Sequence, residues 1–250
     1  MYRQENVRLR CLVGSSSRGK GPNLRIRTLI LFAAVVVGAC ACGTGGSTAR
    51  DHGGATTARI EELPETGSIS EGEYATEEFE PAFSFEMEEH GWQVPLPEER
   101  NSLGIGTRSG LLVFLNIPRV FDPNELRQET QQPAPEDVVA WIEHHPWLDA
   151  STPQPASVGG VEGQQVDVTA AKLPKDHPQV CGGPCVLLFA SNSPSSPFWI
   201  ELDEKIRFVI LEKEKGETVT IAVDTTPDQF DNFLPRAEKI LYSIEWKDQP

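Results

Sequence analysis

Cys181-Gly-Gly-Pro-Cys185 is the segment of this sequence best equipped for chemistry, because two thiols four residues apart can close on each other or act in turn on a partner disulfide. A redox pair needs one sulfur ionised, and thioredoxin-type dithiols obtain this by setting Cys-x-x-Cys at a helix N-terminus. Here three residues intervene, glycine and proline favour a loop, and the apolar run Val186 to Phe189 behind Cys185 reads as a strand. A structural disulfide between Cys181 and Cys185 is the preferred reading, with a thiol-redox or metal-dependent centre at the same pair as the alternative. Zinc takes tetrahedral nitrogen and sulfur ligands. His144, His145 and His177 could join the cysteines, but their spacing fits no familiar zinc pattern. His144 and His145 stand at the end of an expected helix, where a positive imidazole complements the dipole. No metal, cofactor or catalytic residue is assigned. Gly-x-Ser-x-Gly, Walker and His-Glu-x-x-His motifs are absent, and Gly104-Ile-Gly106 lacks the third glycine of a dinucleotide loop. Glu136 with Asp137, and Asp203 with Glu204, are sequence neighbours that read as solvated carboxylates rather than an acid and base pair.

A third cysteine has a different setting. Residues 1–39 hold seven Lys or Arg against a single acid and end in the apolar run Leu29 to Val37, the basic, apolar, small order of an export signal. The run meets Val37-Gly38-Ala39-Cys40, which resembles the lipobox read by the diacylglyceryl transferase and the lipoprotein signal peptidase. That resemblance implies a lipoprotein signal peptide over 1–39, cleavage before Cys40, and diacylglyceryl and palmitate-type acylation of Cys40 as a membrane anchor. A transmembrane helix needs about 20 apolar residues, whereas the run from Leu29 stops after Ala41 at Cys42-Gly43-Thr44-Gly45-Gly46. Removing seven basic and one acidic residue from totals of 22 and 37 leaves 15 and 36, a net charge of −21. Such a surface repels phosphate backbones, so nucleic acid is not an expected partner. The expected partners are the lipid bilayer, through the acylated Cys40, and a protein or small ligand. The location is the extracytoplasmic face of the cell membrane, an oxidising space that suits a disulfide.

The elements that position these residues follow from hydrophobic periodicity. Residues 40–78 are poor in large apolar side chains and carry much of an eleven-Glu run between Glu61 and Glu89, so they read as a lipidated, flexible, acidic tether. A single α+β domain is expected over 79–250. Phe83-Ser-Phe85-Glu-Met87 and Trp92-Gln-Val94 alternate around His90-Gly91 and predict a first hairpin. Leu111 to Ile117 predicts a central strand buried on both faces. Pro135-Glu136-Asp137 opens a short helix with Val138, Val139, Trp141 and Ile142 on its apolar stripe, stopped by Pro146. Val158-Gly159-Gly160 turns into a strand over Val161 to Ala170, and Ile206–Leu211 and Thr218–Val223 predict a late hairpin. Thr226-Pro227-Asp228 begins a helix with Thr226 as N-cap, and Pro235 should kink or split it. Ser243 to Trp246 closes the chain as a short strand.

An opening strand ending in Gly91-Trp92, strands around Gly160-Val161-Glu162-Gly163, a late hairpin and a closing helix into Ile240-Leu241-Tyr242-Ser243-Ile244-Glu245-Trp246 resemble the PsbP-like sandwich of several bacterial lipoproteins. The chain is also similar overall to acidic actinobacterial-type lipoproteins. The resemblance implies an antiparallel sheet of about six to eight strands packed with two helices, and a non-enzymatic accessory or binding role; fold alone assigns no activity. Most aromatics fall on inward phases, among them Phe79, Phe83, Phe85, Trp92, Phe233 and Trp246. Trp147 and Trp199 lie beside proline-rich loops instead, and a ligand-binding cleft is expected between the loops carrying them.

Overall fold

The computed structural model of the chain describes residues 60–125, 130–173, 181, 183–190, 197–212 and 218–247. Among them, seventeen strands form three sheets, with two helices. In chain order the strands are β1 (Glu61–Glu62), β2 (Gly67–Ile69), β3 (Gly72–Ala75), β4 (Phe83–Met87), β5 (Trp92–Glu99), β6 (Ser102–Gly106), β7 (Leu111–Asn116), β8 (Arg119–Phe121) and β9 (Gln131–Pro133). They continue after helix α1 (Val138–Glu143) with β10 (Leu148–Ala150), β11 (Gln154–Val158), β12 (Val161–Ala170), β13 (Cys185–Ala190), β14 (Pro197–Glu201), β15 (Lys205–Glu212) and β16 (Thr218–Thr225). Helix α2 (Phe230–Tyr242) and β17 (Glu245–Trp246) complete the fold. The α+β class stands, but the sheets dominate, and the strands far exceed the expected six to eight. The additional ones are mostly two to five residues long, too short for alternation to announce them.

A nine-stranded sheet runs β10-β12-β15-β16-β7-β6-β5-β2, with β11 also on β12. Its central strands are apolar on both phases. Leu112, Phe114, Val209, Leu211, Val219, Ile221 and Val223 point into one core with α2 and the four-stranded sheet β1-β3-β4-β17. Val113, Leu115, Ile206, Phe208, Ile210 and Ala222 point into a second core with α1 and the sheet β14-β13-β8-β9. A sheet buried on both faces accounts for the continuous apolar runs in β7, β15 and β16. The late hairpin pairs in full, from Lys205 with Thr225 to Glu212 with Thr218. Between β11 and β12, Gly159 and Gly160 take φ of +56° and +79°, the left-handed pair that a two-residue hairpin turn requires. Trp246 donates its indole N–H to Val158 O at 2.9 Å and holds that turn against β17.

Three expectations change. Residues 61–78 are not tether: β1, β2 and β3 lie there, and Ile69, Tyr74, Ala75 and Thr76 are buried. The acids flank these few inward residues, so a Glu-rich composition hides an edge that pairs with β4 and β5. Glu98 secures the following loop, its Oε1 accepting from the backbone N–H groups of Glu77, Glu78 and Phe79 at 2.7 to 2.8 Å. Second, β4 and β5 do not form a hairpin. β4 pairs with β3 and β17, β5 with β6 and β2, and the chain changes sheet at Gly91. Third, α2 begins at Phe230 rather than beside Thr226, with Gln229 at its N-cap and no side-chain cap bond. Thr226 instead forms a preceding turn, its carbonyl accepting from Gln229 N at 3.0 Å. Pro235 sits inside one uninterrupted helix. It removes a single backbone donor near the start, where the apolar stripe Phe230, Phe233, Ala237, Ile240 and Leu241 is already anchored in the core.

Candidate functional site

The second core is where the sequence candidates converge. Asp137 caps α1 by accepting from Ala140 N at 2.8 Å, which fixes the start of a helix only six residues long. Its apolar face, Val138, Val139 and Ile142, packs on the sheet beneath, and Trp141 lies against Phe189 at 5.8 Å between ring centres. At the other end His144 caps the helix and sets Nδ1 against Ala140 O at 2.7 Å. Asp137 of the Glu136 and Asp137 pair is thus committed to the cap. Glu204 is similarly committed: its Oε2 accepts from Glu201 N at 2.7 Å across the turn after β14.

Cys181 and Cys185 are joined in a disulfide with Cα atoms 6.3 Å apart, within the usual span. Cys185 opens β13 opposite Glu201 of β14, and both cysteines are buried in the core. Cys185 is fully covered and Cys181 5% exposed, and the element that follows is a strand, a setting that suits a staple. Replacing both residues, Cys181→Ala with Cys185→Ala, is expected to lower stability by about 2 kcal/mol for so short a loop. Guanidinium unfolding with and without reductant measures it: wild type under reductant should match the variant, and an unchanged midpoint in both would remove the staple.

Trp199 and Trp147 come to the same core rather than to open loops. Trp199 is buried in β14 and donates its indole N–H to Glu201 Oε1 at 3.4 Å. Trp147 is half-buried at the rim, donating to Pro123 O at 2.8 Å, with Lys172 Nζ 5.3 Å from the ring centre. Cys40, Cys42 and His177 lie outside the described residues. Among the described residues no three His, Cys, Asp or Glu side chains gather as metal ligands would.

His145 is the residue the sequence placed wrongly. It does not complement the helix dipole as a cation: it is 4% exposed, and burial pushes its imidazole down to about 4, so it is neutral at physiological pH. Its ring meets Trp141 edge-on at 4.8 Å, its Nδ1 accepts from Trp147 N at 3.4 Å, and its Nε2 is buried with no hydrogen-bond partner. The signal was present in the spacing, since His145 lies three residues after Ile142 and four after Trp141, on the same stripe.

Charges elsewhere are paired across element joints. Asp167 of β12 receives Arg207 Nε at 2.6 Å and Lys205 Nζ at 3.3 Å, while Glu238 of α2 meets Arg207 at 3.4 Å. Burial alone would raise the Asp167 carboxyl, but the bonds and charges of Arg207 and Lys205 outweigh it and hold it below the ordinary value. Lys205 and Arg207 also lie over the Phe230 ring, at 3.8 and 5.7 Å. On the other side of α2, Glu89 takes Lys239 at 2.8 Å and Arg236 at 2.7 Å beside a small cleft floored by Met87, Trp92 and Ile240. These bonds, Lys239 first, keep the Glu89 carboxyl below its ordinary value. The first network ties α2 to β12 and β15, the second to the turn between β4 and β5.

No known protein family matches the chain, and no curated protein matches it. Solved structures similar to the chain at low identity include cyanobacterial PsbP and LpqN. The solution structure of cyanobacterial PsbP (CyanoP) from Synechocystis sp. PCC 6803 is 9% identical, covers 75% of this chain and 99% of its own, and has a TM-score of 0.36. The crystal structure of LpqN, involved in cell envelope biogenesis of Mycobacterium tuberculosis, is 12% identical, covers 72% and 89%, and has a TM-score of 0.25. No helix among the described residues is long and apolar enough to cross a membrane.

Proposed function

We propose that this chain is an exported lipoprotein, cut before Cys40 and acylated there, whose PsbP-like α+β domain stands on the extracytoplasmic face of the cell membrane as a non-enzymatic binding or accessory module. The observation that carries the reading is the basic segment and apolar run that end at Val37-Gly38-Ala39-Cys40. The buried disulfide supports it, because such a bond persists in an oxidising compartment. The bilayer is the first partner, through the acyl chains. A protein or small ligand is the second, with Trp147, half-buried at the rim of the second core, as the candidate contact. No cofactor is required. The strongly acidic surface disfavours nucleic acid.

The test is the intact mass and membrane partition of wild type and Cys40→Ala. Wild type should begin at Cys40, carry a diacylglyceryl mass and sediment with membranes. The variant should carry no diacylglyceryl mass, and any membrane partition it keeps would come from the uncut apolar run Leu29 to Val37. A wild-type chain purified from membranes without lipid on Cys40 would overturn the anchor.

A further inference from the structure

We infer that His145 is an acid-released latch: protonation of its buried imidazole frees the corner between α1 and β10 and uncovers the apolar floor beneath α1, while the core on the opposite face of the central sheet stays in place. The inference is independent of the lipoprotein reading.

The corner depends on an unprotonated Nδ1. Trp147 N donates to that atom, so the neutral ring carries its proton on Nε2, which is buried without an acceptor. The His145 backbone completes the corner, its N–H donating to Ile142 O and its carbonyl accepting from Leu148 N, both at 3.2 Å. Trp147 extends it by holding Pro123 O, and Trp141 meets the His145 ring edge-on. The imidazole thus joins the end of α1 to the approach to β10, and Trp147 carries the link on to the loop after β8. A proton taken from solvent at Nδ1 faces the Trp147 N–H, displaces that bond and places a full charge among apolar groups, with Nε2–H still unsatisfied. The energetically open route is for the corner to move outward and hydrate the ring.

Among the described residues no anion is bound to the ring. Asp137 is engaged at the N-cap, His144 caps α1 at Ala140 O, and Glu143 is exposed. Asp149 of β10 is exposed on the opposite phase from Leu148. Asp122 binds Asn124, Lys172 lies over the Trp147 ring, and Arg119 of β8 donates to Gln131 O. Burial is the sole cause of the low imidazole value, which is what an uncompensated ring requires.

The direction follows from linkage. The closed form binds a proton only near pH 4, whereas a hydrated imidazole binds one near 6.5, so closure is fully favoured above 6.5 and weakens as pH falls from there toward 4. Opening is expected to become about a hundredfold more favourable over that interval, from a displacement of that size. Lifting α1 removes Val138, Val139, Ile142 and Trp141 from Phe189 and the strands below.

The experiment is a pH titration of the full chain, labelled with 15N at tryptophan and histidine, following the five indole signals and the His145 ring between pH 7.5 and 3.5. Trp141 and Trp147 should shift together with protonation of His145, reversibly, while Trp92 and Trp246 in the opposite core hold their positions. His145→Gln should remove that concerted shift without altering the spectrum at pH 7. Should the variant not fold, the wild-type titration decides alone. Simultaneous movement of all the core indoles, a shift that persists unchanged in a folded His145→Gln, or protonation of His145 with Trp141 and Trp147 stationary would each overturn the latch.

Discussion

Phe83→Ala is expected to remove about 4 kcal/mol of folding stability, near the upper range for a single truncation. Phe83 is fully buried in β4, and its ring has aromatic neighbours on every side: Phe114 at 4.7 Å, Trp246 at 5.2 Å, Phe79 at 5.8 Å and Phe85 at 6.0 Å. Those partners come from β4, β7, β17 and the loop before β4, so no one of them can slide into the space without dragging its own element. The backbone bonds of Phe83 with Thr76 involve no side-chain atoms of the phenylalanine and survive the change. The loss is therefore transfer of the ring plus an unrelaxed cavity. Guanidinium unfolding read by tryptophan fluorescence measures it, and a loss under about 1 kcal/mol would mean that the space collapses and that packing beneath the sheet β1-β3-β4-β17 is loose.

Gly163→Ala is the second large effect, expected near 3 kcal/mol for overpacking against atoms that cannot rotate away. Gly163 pairs with Leu211 of β15 and Ala156 of β11, and a Cβ built there would stand 2.1 Å from Ile210 O. Because the obstacle is backbone, relief requires β12 to withdraw from β15. Two consequences separate this from ordinary core disruption. Amide exchange should rise along β12 and β11 before it rises in β7, and the Asp167 to Arg207 bonds, four residues along the same strand, should weaken. A variant with wild-type stability would show that the two strands stand further apart than 2.1 Å allows.

Long elements with one unambiguous period were legible. β12 follows from alternation, β7 from a continuous apolar run, the β15 and β16 hairpin from its glycine turn, and α1 from a proline and acid start. The turn at Gly159 and Gly160 was legible for the same reason, since its chemistry is local. What escaped was pairing decided far along the chain. The alternation of Phe83 to Met87 and of Trp92 to Val94 is real, yet adjacency in sequence says nothing about β17 and β3, which occupy both edges of β4. Likewise Ile69 and Tyr74 are single apolar residues among acids, and only β5 and β4 give them a core to enter. At the candidate site, compartment and spacing pointed to the disulfide. Trp199 was assigned to a loop because the serines and prolines before it hid the start of β14. His145 was read by its position at a helix end, although the stripe through Trp141 and Ile142 runs on to it.

The central sheet carries a further consequence. Where one face of a strand meets water, a slip of one residue is punished at once, because it turns polar side chains inward. β7 and β16 have no such safeguard: shifting β7 by one position would still send apolar side chains to both sides, exchanging Leu112 and Phe114 for Val113 and Leu115. Alignment here is encoded in volume, with the larger Phe114 matched to the aromatic pocket of Phe83 and the smaller Val113 and Ala222 facing the opposite core. Polarity contributes only at isolated marks, such as Thr220 opposite Leu115 and Asn116 at the end of β7, whose side-chain amide donates to Glu80 O. Substitutions that preserve hydrophobicity but equalise size across those two faces should leave the fold's stability largely in place while blurring which alignment it adopts.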